Sequence, residues 1–407
     1  MQLSLSFRTA CSSVKISHLI VLMVLAGCGA QPIDSDRDVQ STADLAAAGE
    51  EQAIQEITPV EPPPPALFDA PLPLDTPALP AGLSHLGADG CKACHWEVVE
   101  TWKDSTHAGA ASPAFAQAIS AADDAPECSR CHLPLQIQHR QLIAQSTDES
   151  LVNSERVPNT HWSPSLQAEG VGCTACHVRD GVILGSRDLD APHPVRKSTE
   201  LLSSEGCAGC HQFSWEGADL PIYDTYGEWS RSTYAEIGLQ CQDCHMAPVQ
   251  GSATPGGRPT HADHRFDARH GEGLSLHLQL PPEGVTRGSD LIGSLRVQNT
   301  GAGHAIPTGS PFKTLVIAVD LIDSRGKTVG KGAEFRFART VEKEAPYNTV
   351  SDNRLQVGAD EQFDFSFNIP YRARSGVSTF RARIFVEHAT GKPSEDWLVQ
   401  EIPFPVY

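Results

Sequence analysis

The chain has 407 residues, and its 50 acidic side chains against 31 basic ones give a formal net charge of −19 at pH 7. Such a balance offers nothing to a phosphate backbone, so nucleic acid is excluded as a partner and a protein presenting basic surface is favoured. Only 6% of the residues are aromatic, which is little for a chain that must bury a core with side chains alone.

At the N-terminus Arg8 and Lys15 precede a short apolar stretch, Ile16 to Ala26, interrupted only by Ser17 and His18. It is too short and wrongly flanked for a lasting membrane helix and reads as an export signal over residues 1–27. The signal closes on Leu25-Ala26-Gly27-Cys28, which resembles the bacterial lipobox and implies lipidation of Cys28 as the mature N-terminus. The alternative is an ordinary secretory cleavage site with an incidental cysteine. Gly29 after Cys28, in place of aspartate, resembles signals for the outer membrane, so an exported lipoprotein facing the periplasm or the cell surface is expected. Residues 28–80 then carry ten acids, Arg37 as the one base, and the proline run Pro62 to Pro65 followed by Pro71, Pro73, Pro77 and Pro80. Acid repulsion and proline oppose compaction, so this part reads as a flexible tether of roughly 40 Å root-mean-square span. Ala43 to Ile57 is the one stretch in it with helical composition.

Residues 81–273 hold five copies of Cys-x-x-Cys-His: Cys91, Cys94 and His95; Cys128, Cys131 and His132; Cys173, Cys176 and His177; Cys207, Cys210 and His211; Cys241, Cys244 and His245. Two thiols on one helical turn can each form a thioether to a vinyl group of one porphyrin, and the next histidine reaches the iron from the same side. Zinc ribbons and disulfides also use Cys-x-x-Cys pairs, but neither accounts for a histidine at the next position in all five. The motifs therefore point to five covalently bound haem c groups. If Cys28 is acylated and Cys11 is removed with the signal, these ten cysteines leave no thiol over, which suits an oxidising compartment. Between the motifs, composition predicts helices over Glu97–His107, Pro113–Ala121, Pro134–Ala144 and Trp229–Ile237. The segment Trp102 to Ala108 recurs as Trp229 to Ala235, with Tyr234 in the place of His107.

The mature chain keeps a single methionine, Met246, and it follows a proximal histidine, so methionine ligation is nearly excluded. Sixth ligands are left to histidine, to another side chain, or to nothing. Eleven histidines remain outside the motifs and the signal: His85, His107, His139, His161, His193, His261, His264, His270, His277, His304 and His388.

The motifs and the patches around them resemble the multihaem cytochromes related to cytochrome c554. The likeness lies in Trp102-x-x-Ser105-x-His107, His132-x-Pro134-Leu135, Glu169-Gly170-Val171-Gly172-Cys173, Pro192-His193-Pro194, His264-Arg265-Phe266 with His270, and Gly303-His304-Ala305-Ile306-Pro307. It implies closely spaced, mostly bis-histidine haems used for electron transfer. It also implies His107, His193, His264, His270 and His304 as distal ligands. His139 and His161 are reserves without that support, and His85 and His261 are weaker.

Beyond Leu274 the pattern changes to period two. Leu274, Leu276, Leu278 and Leu280 alternate with polar residues, as do Phe363, Phe365 and Phe367. Leu315–Ile322, Phe335–Thr340, Phe380–His388 and Trp397–Phe404 add strands, with a turn at Ser324 to Lys327. About seven strands suggest an antiparallel, immunoglobulin-like sandwich over 274–407. His277 and His388 fall on these strands as surface positions. The expected architecture is thus two-domain, a mainly α and irregular haem-packed domain followed by an all-β sandwich. The loop bearing His304 is expected to reach from the second domain to a haem in the first. Two functions fit: an electron carrier between redox proteins, anchored to the membrane at Cys28, or a reductase or oxidase of small nitrogen or sulfur compounds with one open haem. For the second, Tyr234 is the residue to look for beside an open iron, although packing against Trp229 also explains it.

Overall fold

A computed structural model describes Phe68 and residues 73–113, 115, 117, 126–144, 155–187, 189–266, 271–388 and 393–407. The signal, Cys28, most of the expected tether, His270 and most of the expected helix over Pro113–Ala121 lie outside the described residues, as does the side chain of Cys128.

The motif-bearing region is built of short helices joined by irregular chain. They are α1 (Ala88–Lys103), α2 (Pro126–His132), α3 (Pro164–Ala168), α4 (Cys173–His177), α5 (Glu205–His211), α6 (Thr225–Ser230), α7 (Thr233–Glu236) and α8 (Cys241–His245). Four of them, α2, α4, α5 and α8, end at the histidine of a Cys-x-x-Cys-His motif. In the longer α1 the helical dihedrals fail at the same place, His95, with φ −111° and ψ 37°. One turn of helix puts both cysteines and the histidine on a common face, and leaving the helix at the histidine frees its ring to swing away from the axis. One small apolar cluster of this region joins Ala88, Val99 and Trp102, with Cys91, Ala108, Cys173 and Phe266 packed around them, while Leu133, Leu135, Leu166 and Leu184 are buried elsewhere in it.

Three expected helices are corrected. The helix expected from Glu97 begins earlier, at Ala88, where both carboxylate oxygens of Glu169 accept from the Ala88 N–H. It ends at Lys103, so His107 stands beyond it. Pro134–Ala144 is not a helix. A 3₁₀ turn at Gln136–Gln138 leads into the strand Gln141–Ile143, paired with Arg156–Pro158. The buried Gln138 side chain explains this, since it donates to Leu166 O and Gly170 O while accepting from the Leu135 N–H. Trp229–Ile237 is broken into α6 and α7 where the Ser232 hydroxyl takes the Trp229 carbonyl at 2.6 Å. The stretch expected as tether is also docked before Pro80. Leu74 is buried, donates to Pro134 O and accepts from the Gln136 N–H.

The β region holds eight strands among the described residues, β1 (Leu274–Gln279), β2 (Asp290–Asn299), β3 (Thr314–Ile322), β4 (Thr328–Val341), β5 (Thr349–Asp352), β6 (Asp360–Asn368), β7 (Gly376–Glu387) and β8 (Leu398–Val406). They form two antiparallel sheets in the orders β5-β4-β3-β7-β8 and β6-β2-β1. Alternation along β2 and β7 sends every second side chain inward. Leu295, Val297, Leu315, Ile317, Phe380 and Ile384 from both sheets thus share one core. His277 and His388 are exposed, as expected of surface positions.

From Pro63 onward the chain is one compact unit, and the seam between its helical and β regions is polar. Glu228 on α6 pairs with Arg354 at 2.7 Å, with both side chains under 10% exposed, and Arg354 also pairs with Asp352. Arg339 on β4 donates to Pro221 O at 2.6 Å, and Asp219 exchanges hydrogen bonds with Asn348 and Thr349. Replacing Arg354 by methionine would leave the Glu228 carboxylate buried without its cation, for which we expect a loss of roughly 3 kcal/mol. Arg296→Ala, which removes an exposed ion pair to Asp360, should cost far less, because solvent screens that pair. Equal shifts of the two variants in chemical denaturation would show that the seam pair is not a buried one.

Candidate functional site

Nine of the expected ligand histidines are among the described residues, five from the motifs and four of the distal candidates, His107, His193, His264 and His304. Several have one nitrogen already committed. His95 Nδ1 donates to Ala253 O at 2.8 Å, His132 Nδ1 to Ala110 O at 2.9 Å and His177 Nδ1 to Leu184 O at 2.8 Å. On the expected distal side, His264 Nδ1 donates to Ala262 O and His304 Nδ1 to Ala305 O. A proton held on Nδ1 leaves Nε2 with its lone pair, the tautomer a metal requires. Burial pushes the same way. It takes His107 down to about 4, helped by the charges of His211, His264 and His132. It takes His264 down to about 4 as well, with His177 the next cause. Both imidazoles are kept neutral, the form that ligates.

These rings meet in twos. The ring centres lie 6.3 Å apart for His95 and His193, 6.3 Å for His107 and His211, 6.3 Å for His177 and His264, and 6.2 Å for His245 and His304. Each pair joins one motif histidine to one of the distal candidates. The interplanar angles, in the same order, are 40°, 71°, 34° and 18°. Direct ring–ring attraction would select an angle and let the distance vary. Here the distance is constant and the angle is not, as when two rings share a central atom about which each can rotate. Metal–nitrogen bonds of about 2 Å, with about 1.1 Å from nitrogen to ring centre, place two such centres about 6.2 Å apart. The buried Nδ1 of His193, which lacks a hydrogen-bond partner, is a further sign that this cluster is shaped for an absent electrophile. Among the described residues no three His, Cys, Asp or Glu side chains converge as a zinc site needs. The residues present therefore fit haem, with His95, His177, His211 and His245 each placed opposite a second imidazole.

His132 is different. Its ring stacks flat on Phe115, with centres 3.9 Å apart and planes 4° from parallel. The distal candidate left for it, His270, lies outside the described residues. The reserve His139 is tied back on its own segment, with Nε2 donating to Leu133 O. His161 and His85 are exposed, while His261 is buried and donates to Ala262 O. None of these four joins a pair.

The motifs are also close to one another. Thiols of different motifs come within hydrogen-bonding reach at Cys91 and Cys173, Cys131 and Cys210, and Cys207 and Cys241. Cys176 lies near enough to Cys207 and Cys210 for its charge to act on both. The motif of His211 therefore adjoins those of His132, His177 and His245, and the motif of His95 adjoins that of His177. The histidines repeat this order, since His107 feels His264 and His132, and His211 feels His245 and His304. The arrangement is a branched array with the His211 site at its junction.

Four residues outside the motifs set these positions. Glu169 caps α1 and so fixes the first motif. Glu97 accepts the Ser252 N–H and orders the loop whose Ala253 carbonyl holds His95. Asn299 donates to His304 O at 3.0 Å, and Glu228 accepts from both the Ala305 N–H and the Thr308 hydroxyl. These last two hold the loop between β2 and β3 against α6, which brings His304 across the seam to His245. Tyr234 stands at the same seam, its hydroxyl donating to Thr300 O. Glu169 had a sequence signal in its neighbouring glycines and Cys173. Glu97, Glu228 and Asn299 had none, because their partners are distant in the chain.

The sequence matches no protein-family model. It also matches no curated protein. Among solved structures the chain is similar to a penta-haem cytochrome c552 from Thermochromatium tepidum, with 17% identity over 80% of this chain and 100% of that one and a TM-score of 0.56. The CARDB domain of the PF1109 protein from Pyrococcus furiosus aligns with 33% of the chain at 13% identity, covering 94% of that domain, but its TM-score of 0.20 carries no weight. At these identities the first likeness bears on fold alone, and the fold it shares is that of a penta-haem cytochrome.

Proposed function

We propose that this chain is a five-haem electron-transfer protein related to the cytochrome c554 group, with residues 81–273 as the haem-binding domain and 274–407 as an immunoglobulin-like sandwich. The observation that carries the reading is the constant spacing of four imidazole pairs, each with one member supplied by a Cys-x-x-Cys-His motif. When bound, haem c supplies a one-electron iron centre whose potential follows its axial ligands and surroundings. The protein's own task is to hold each imidazole still. Carbonyl bonds on Nδ1 fix ring rotation and tautomer, and the seam fixes the reach of His304, so the ligands need not move when charge changes. The ten cysteines Cys91, Cys94, Cys128, Cys131, Cys173, Cys176, Cys207, Cys210, Cys241 and Cys244 are the attachment points. His95, His132, His177, His211 and His245 are the proximal ligands, and His107, His193, His264, His270 and His304 the distal ones. The lipobox likeness at Cys28 supports a lipid anchor on the outer membrane, with the protein facing periplasm or exterior and serving other redox proteins.

One observation favours a second reading. Among the described residues His132 is faced by Phe115 rather than by an imidazole. If the His132 haem keeps an open face, the protein becomes a candidate reductase or oxidase of small nitrogen or sulfur compounds.

Low-temperature electron paramagnetic resonance of the oxidised protein, with haem quantified per chain, tests both. Five haems and low-spin iron throughout are expected. The crossed rings of His107 and His211 should give a signal with a large principal g value, while the near-parallel His245 and His304 should give a rhombic one. A haem equivalent of high-spin iron that responds to nitrite, hydroxylamine or cyanide would transfer the case to the enzyme. His304→Ala should convert one low-spin equivalent and leave the other four, and a spectrum identical to wild type would mean the β region supplies no ligand. Because the chain is strongly acidic, electron exchange with a basic redox protein should slow as salt shortens the screening length toward about 10 Å at 0.1 M. A rate flat across ionic strength would remove charge steering from the account.

A further inference from the structure

Among the described residues Lys313 pairs with no carboxylate. It stands just before β3, in the β region, and its side chain is half-buried. Its Nζ lies 3.9 Å from where a Cβ on Gly309 would stand, a point equally close to Thr225 Oγ1 on α6. Its positive charge acts on two imidazoles of neighbouring sites, His211 and His304, and lowers the proton affinity of both. Burial lowers the proton affinity of the lysine itself. The nearby buried carboxylate, Glu228, is already committed to Arg354, the Ala305 N–H and the Thr308 hydroxyl. A partly buried ammonium that meets none of the described carboxylates is costly unless a further anion joins it.

We propose that Lys313 is the counter-ion of a haem propionate lying between His211 and His304, and that the β region thereby sets a reduction potential in the haem array as well as donating a ligand to it. The inference rests on the haem reading above. A haem carries two propionates, and covalent attachment at Cys207 and Cys210 or at Cys241 and Cys244 leaves both free to seek cations. The chemistry required is a carboxylate, which an ammonium at this place meets as a charge-assisted hydrogen bond. A positive charge beside the porphyrin favours the state with one more electron, so its loss lowers the potential of that haem and leaves distant ones unmoved.

Spectroelectrochemical titration of full-length wild type, Lys313→Gln and Lys313→Arg tests the assignment, with low-spin spectra and haem content confirming that each variant is loaded. Lys313→Met serves as the neutral variant if the glutamine form does not accumulate. The expected result is a potential for one haem lowered by roughly a tenfold change in its reduction equilibrium, ~59 mV for one electron, in the neutral variant and restored in Lys313→Arg. Five unmoved potentials would overturn the proposal, and so would equal shifts in the glutamine and arginine variants, which would mean packing rather than charge. Acetate and nitrite, titrated into wild type at constant ionic strength, should move nothing. A saturable shift that Lys313→Gln abolishes would overturn the resident propionate in favour of an anion from solution. A wild-type protein without haem would defeat the underlying reading itself, a result distinct from five haems whose potentials ignore Lys313.

Discussion

A histidine imidazole fixed at one nitrogen and free at the other is the unit on which this molecule depends. Four of the five motif helices are one or two turns long and stop at their histidine, so the backbone there spends no more order than is needed to set two thiols and one ring on a face. A carbonyl from elsewhere in the fold then takes Nδ1. Those carbonyls come from different kinds of backbone, Ala110 from a 3₁₀ turn, Leu184 from a short strand and Ala253 from irregular chain. The helical region is therefore shaped in part by what it must present to the rings.

The β region is organised on the opposite principle. Its two sheets bury a continuous apolar core, supplied largely by strands with alternating burial. Joining two such bodies through apolar contact would leave their relative position tolerant of small slips. The seam is instead polar and directional, with Glu228 holding Arg354, the Ala305 N–H and the Thr308 hydroxyl at once. A buried carboxylate with three partners admits little displacement, since losing any one of them leaves a desolvated group unpaired. Precision at the seam is what the His304 loop requires, because its ring must meet His245 at the spacing the other three pairs keep without crossing into another region.

Much of this was legible in the sequence, and the parts that were not have a common cause. The motifs, the change to period two after Leu274 and the strands at Leu315, Phe363 and Phe380 rest on local spacing, which one chain displays in full. The loop of His304 was singled out because glycines flank a histidine where a strand pattern pauses. Local spacing also misled. Pro134–Ala144 has helical composition, yet the Gln138 side chain finds Leu166 and Gly170 some thirty residues away and holds the chain open. The starting point of α1 escaped notice because its cap, Glu169, is 81 residues distant. Distal histidines could be shortlisted but not paired from spacing, since His193, His264 and His304 all meet motif histidines of quite different sequence separation.

The branched order of the motifs places unequal demands on the five sites. The His211 site adjoins three others, so charge arriving there alters the electrostatics of its neighbours more than charge at the His95 site, which adjoins one. Two protein features converge on that junction. His107, opposite His211, stands past the end of α1 where its ring is turned 71° to its partner. Lys313, from the other region, brings a positive charge that bears on it. A net charge of −19 would by itself oppose electrons collecting anywhere in the array. A cation held beside the junction opposes that general field at the one place through which the branches communicate, and it reaches there only because the polar seam fixes the β region against α6.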